Sequence, residues 1–160
     1  MPFKGSSNAN PDSVAENCNV PSSVPRMRFT LTGVMVVDQQ HALDFYTNTL
    51  GFVVRHNIDM GEHAWITVVS PHDIDGTELL LEPTGHPAAR PYRDALRADG
   101  IPATQFSVDD IDAEYERLVA AGVEFTAPPM DTGAAKIAIF DDTCGNWIVI
   151  VEPTADTPAE

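Results

Sequence analysis

Asp38 and Asp110 stand 72 residues apart, Gly51 and Gly122 stand 71 apart, and Gly76 and Gly145 stand 69 apart. The run "LLLEP" at 79–83 comes back as "VIVEP" at 149–153, an offset of 70. Landmarks in one order, drifting by so little, mark an internal duplication, so each copy must be one supersecondary unit that shares a core with the other. This limits the chain to folds built from a paired module.

The first copy reads as follows. "RFTLTGVMVVD" is β-branched and predicts a strand. Asp38 is placed to cap a helix over "HALDFYTNTLGF", with Ala42, Phe45, Tyr46 and Leu50 on one face and Gly51 as its stop. "FVVRHNI", "HAWITVVS" and "TELLLEP" predict three more strands, the last two joined by the turn-rich "PHDIDG". The second copy repeats the order: strand "ATQFSVDD", helix "IDAEYERLVAAG" with Ile111, Tyr115, Leu118 and Val119 inward, short strand "VEF", and hairpin "AAKIAIF"/"NWIVIVEP" around "DDTCGN". Each copy is thus βαβββ. Module one spans 28–83, a linker with a short helix 84–101, and module two 102–153. Residues 1–27, rich in Ser, Asn and Pro, predict a disordered arm, and 154–160 a tail of the same kind.

Composition narrows the partners. Nine basic residues against 24 acidic give a net charge of −15, which repels phosphate backbones and anionic membranes. No run reaches the length of a membrane span, and the N-terminus lacks the pattern of a secretory signal. Cys18 and Cys144 are far apart and form no CxxC pair, which fits a reducing cytoplasm.

"VVDQQHALDFYTNTLGF", "GTELLLEP", "FSVDDIDAEYERLVAAGVEF" and "FDDTCGNWIVIVEP" together resemble the vicinal oxygen chelate superfamily, which includes glyoxalase I, extradiol dioxygenases and bleomycin-resistance proteins. The resemblance implies an α+β fold. Two βαβββ modules form a curved, partly open mixed sheet or barrel around a concave pocket, with helices on the convex side. Alternation agrees: Leu31, Gly33 and Met35 face the pocket and Val34 and Val36 the helix, while Ala103, Gln105 and Ser107 face the pocket and Phe106 and Val108 the helix. Gln105 is expected to lie buried there, needing a partner for its amide.

Metal-dependent members of that superfamily take His, Gln or Glu ligands from the first and fourth strands of each module. The resemblance places those positions at Leu31, Leu79, Ala103 and Val149, none of which carries a donor atom. No metal and no cofactor are therefore expected. His41, His72 and His86 are expected in solvent; His56 and His63, at a strand end and a strand start, read as two surface imidazoles near a loop, or as a pair if the turn brings them close. Glu82 and Glu152 fall on the face opposite Leu79, Leu81, Val149 and Val151, which predicts solvated carboxylates at strand ends. Cys144 lies in a turn with no histidine nearby in sequence. Arg90, Arg93 and Arg97 share a face of the linker helix, either as an anion-binding lid or in charge balance with Asp94 and Asp99. Trp147 shares parity with Val149 and points to the pocket, whereas the parity of Trp65 depends on a hairpin register. Both tryptophans are pocket walls or plain core.

The expected function is metal-independent binding of a small organic molecule, with Met35, Gln105, Ser107, Trp147, Trp65 and His63 as ligand-binding residues, in a cytoplasmic homodimer. The alternatives are a lyase or dioxygenase-type enzyme with displaced metal ligands, acid–base chemistry by His63 or Tyr46, and a structural role in an assembly.

Overall fold

The structure is a computed structural model that describes residues 27–153. The expected arm, apart from Met27, with Cys18 and the tail lies outside the described residues. Strand β1 (Leu31–Val36) leads to α1 (Gln39–Asp44), which widens into a π-helical turn at Phe45–Thr49. Then come β2 (Val53–Asp59), β3 (Ala64–Val69) and β4 (Glu78–Pro83). Helix α2 (Ala89–Ala98) crosses to β5 (Thr104–Ser107), α3 (Ile111–Ala120), β6 (Met130–Asp131), β7 (Ala135–Asp141) and β8 (Trp147–Pro153).

Two four-stranded sheets result, in the orders β1-β4-β3-β2 and β5-β8-β7-β6. In each, the strand before the helix runs parallel to the last strand and the others pair antiparallel. The caps expected from sequence form: the Asp38 carboxylate accepts from the Gln40 and His41 amides, and that of Asp110 from Ala113. Gly51 and Gly122, both at φ +87°, end the two helical segments.

The core lies on the convex side of both sheets. Val34, Val36, Ile66, Val68, Leu79 and Leu81 meet Ala42, Leu43 and Tyr46, and the buried cluster continues through Ile111, Leu118, Phe140, Ile148 and Ile150. Each of the buried valine, leucine, isoleucine and phenylalanine side chains contributes about 1.5–3 kcal/mol by leaving water. The modules are locked together there. Tyr46 and Phe52 pack on Phe106, and the Tyr46 hydroxyl donates to Asp142 at 3.0 Å. Asn146 Nδ2 donates to the Met35 carbonyl at 3.0 Å.

Three local expectations are corrected. "VEF" makes a single bridge, Phe125 to Phe140, because the chain next turns through "APP", and the sixth strand forms at Met130–Asp131. Val119 is exposed, since the face of α3 that packs is centred on Ile111 and Leu118. Leu79 and Leu81 are buried on the convex side, so Leu80 takes the concave position in β4. The reason is the offset: β4 and β8 superpose in register at 69 residues, as Gly76 and Gly145 indicate, and not at the 70 of the "EP" endings. A slip of one residue exchanges the faces of a strand.

Candidate functional site

Strand pairing orders the concave face of module one into three rungs. They read Val53–Val69–Glu78–Leu31, His56–Thr67–Leu80–Gly33 and Ile58–Trp65–Glu82–Met35. Module two presents Asp141–Trp147–Ala103, Ile139–Val149–Gln105 and Ile137–Val151–Ser107. The parity of Trp65 is thus fixed: it shares a face with Thr67 and Met35.

Of the expected ligand-binding residues, Met35 and Trp65 lie on one rung of module one, and Gln105, Ser107 and Trp147 lie on module two. Gln105 is exposed, not buried, because the sheet leaves this face open, so its amide needs no protein partner. His63 stands at the β2–β3 turn, where its Nε2 lies 2.8 Å from the place a Cβ on Gly85 would occupy. His56 is directed elsewhere, to Glu78 at 3.7 Å, so the two histidines do not form a pair. Trp147 is roofed: its Nε1 donates to the Arg97 carbonyl at 3.0 Å and the Arg97 guanidinium stacks 4.4 Å above its ring.

Glu82 is exposed and opposite Leu79 and Leu81, as expected, but those leucines turn to the convex side, so the face Glu82 occupies is the concave one. It stands on the concave face, where Gly33 leaves room for its carboxylate; a Cβ there would sit 3.3 Å from Oε2. Met35, Glu82, His86, Ala89 and Tyr92 line a hollow of about 540 Å³ beneath the linker. Glu152 keeps the expected opposite face but is half-buried, accepting from the Ile111 amide at 2.8 Å at the start of α3. A second, larger groove of about 710 Å³ lies at the seam between modules and is lined by Phe52, Pro71, Phe106, Ala113 and Arg117.

The superfamily metal does not fit this chain. The first-strand positions are Leu31 and Ala103, and the fourth-strand positions, once the register is corrected, are Leu80 and Val149, opposite Gly33 and Gln105. None of the four carries a donor, and Glu78, which pairs with Leu31, is the one carboxylate beside them in β4 at that level. Among the described residues no three His, Cys, Asp or Glu side chains gather closely enough to hold an ion.

Other candidates resolve into structure. Tyr46 is fully buried on the convex side, and burial beside Asp142 pushes its hydroxyl well above the ordinary value, which removes it as an acid–base group for the concave face. Cys144 is buried, its thiol pushed up to about 12 by desolvation and by Asp142. Arg93 is buried, bonds Asp94 and packs flat against Gly145. Arg97 pairs with Asp141 instead of Asp99. His41, His72 and His86 are exposed, as expected.

Sequence reasoning missed Asp142. Its carboxylate accepts from the Cys144 and Asn146 amides at 2.8 Å, from Asn146 Nδ2 at 2.7 Å and from Tyr46. The available signal was an inward tyrosine, whose hydroxyl must find an acceptor when buried.

The family described as Glyoxalase/Bleomycin resistance protein/Dioxygenase superfamily matches residues 28–150. Uncharacterized protein YurT of Bacillus subtilis (strain 168) is 52% identical over 126 residues, covering 79% of this chain and 99% of its own. The crystal structure of UcmS2 is 32% identical, with a TM-score of 0.70 over 79% of this chain and 98% of that one. TnmS3, an antibiotic binding protein from Streptomyces sp. CB03234, is 27% identical, with a TM-score of 0.66 over 82% of this chain and 99% of that one.

Proposed function

We propose that this chain, which belongs to the Glyoxalase/Bleomycin resistance protein/Dioxygenase superfamily, binds a small organic molecule on its concave face without a metal. The observation that carries this reading is that the superfamily's ligand positions in both modules (Leu31 and Leu80, Ala103 and Val149) carry no donor atom and stand on faces that are otherwise largely apolar. The apolar residues there are Met35, Trp65, Ile137, Ile139 and Val151, interrupted by a few polar groups. That is the makeup of a small-molecule site, in which area gives affinity and scattered polar atoms give orientation. Similarity to an antibiotic binding protein supports the same class. Sequestration of a toxic compound or carriage of a metabolite in the cytoplasm, by a homodimer, is the role we assign.

The test is a thermal-shift screen of organic compounds, then titration of the best compound against wild type and Gln105→Leu. Because Gln105 is exposed and bonds nothing among the described residues, the variant should fold normally and bind about tenfold more weakly, the loss of one good hydrogen bond. Equal affinities would remove Gln105 from the site. A library with no stabilising compound would count against the function itself.

A further inference from the structure

Three polar side chains gather on the concave face of module one, and none of them makes a side-chain hydrogen bond among the described residues; His56 and Glu78 only face each other at ion-pair distance. Thr67 has no exposed surface and its Oγ1 finds no partner. His56 sits beside it on the same rung. Glu78 stands one rung away, its Oε1 3.7 Å from His56 Nε2, beyond hydrogen-bond reach. An unpaired buried hydroxyl in the centre of a sheet costs about 1–3 kcal/mol and calls for an explanation.

The placement of His56 is itself built. Val53 and Val54 pair with Val69 and Val68, but His56 pairs with Thr67, so Arg55 is an extra residue in β2. Unbroken alternation from Val53 would put Arg55 on the concave face and His56 on the other. The bulge exchanges them, turning the imidazole inward, while Arg55 reaches Asp75 at 3.5 Å and the Ile74 carbonyl at 3.3 Å. Bulges are common on edge strands, which β2 is, and next to functional sites, where they re-aim a side chain.

Building on the small-molecule reading above, we propose that His56, Glu78 and Thr67 form the polar anchor of the concave site, and that it takes a hydroxyl group carried on a planar aromatic body. A hydroxyl both donates and accepts. Its proton goes to the His56–Glu78 pair and its oxygen receives the Thr67 hydroxyl proton. Because Thr67 is fully buried, this contact requires the partly exposed His56 ring beside it to rotate while staying within reach of Glu78. The next rung, Ile58–Trp65–Met35, supplies the apolar wall for the ring.

The experiment compares 2-naphthol with naphthalene, which differ by that one group, using wild type, Thr67→Val and Glu78→Gln. Binding is followed by nuclear magnetic resonance through the indole signals of Trp65 and Trp147, the two tryptophans of the chain. Wild type should bind 2-naphthol at least about tenfold more tightly than naphthalene, with Trp65 responding. Both variants should lose that preference. Thr67→Val should also melt no lower than wild type, because it removes an unpaired hydroxyl at constant shape. The anchor is overturned if either variant keeps the preference, or if Thr67→Val melts several degrees lower, as loss of a satisfied structural bond would cause. Equal binding of both probes in wild type, with Trp65 responding, overturns the anchor and leaves the binding function standing. Binding of neither probe overturns both.

Discussion

At the scale of single residues, Asp142 shows how one carboxylate fastens two modules. Burial raises its pKa although four hydrogen bonds act against the rise. A carboxyl whose folded value lies above its unfolded value binds protons more readily in the native state, so the stability it contributes is full below the ordinary carboxylate range and is lost as pH rises through the raised value. The stability difference between wild type and Asp142→Asn should therefore move in favour of wild type on acidification from about pH 7 to about pH 4. Denaturant melts at several pH values would show this, and a flat difference would refute it. Tyr46→Phe removes a bond to the same carboxylate and should cost about 1.5–3 kcal/mol in those melts. Asp38, Asp110, Gly51 and Gly122 were legible in the sequence because caps and helix stops are local chemistry. The Tyr46–Asp142 bond joins residues 96 apart, and only the fold brings them together.

At the scale of elements, strand alternation was legible and strand register was not. β1 and β5 present the faces their sequences predict. In β4 the matching "EP" endings misled by one residue, and one residue moved Glu82 from the outer face to the concave one. The bulge in β2 left no trace in the pattern, because "VVRHNI" alternates no better one way than the other. The linker helix is the third lesson. Its arginines read as a lid or as charge balance with Asp94 and Asp99; Arg93 does pair with Asp94, and it is also buried against the β7–β8 turn, which the pattern did not show. Gly145, at φ +107°, is held by both its backbone and that arginine, which lies 2.9 Å from a built Cβ. Gly145→Ala should therefore cost on the order of 1–3 kcal/mol by thermal melt. A loss below about 0.5 kcal/mol would mean that α2 does not press on the turn as described.

At the scale of the whole molecule, the open question is what covers the free edge of the first sheet. Every residue of β2 is exposed, Val54 at 48% and Ile58 at 54%, and Met60 beyond it at 70%. An edge strand that shows both unpaired backbone and large apolar side chains invites pairing. A second copy brings the same net charge of −15, so its pairing must rest on the apolar side chains and free backbone of this edge, which a two-fold axis sets against each other. A homodimer through this edge is therefore expected. Sedimentation at micromolar concentration should give about twice the monomer mass of 17.3 kDa, and the melting temperature should rise with concentration, since association stabilises the folded state by mass action. Val54→Lys with Ile58→Lys places two charges on the edge while leaving the convex core intact. That variant should sediment as a monomer with its helix and strand content unchanged. A wild-type mass of 17.3 kDa, or a double variant that stays dimeric, would show that β2 remains free in solution.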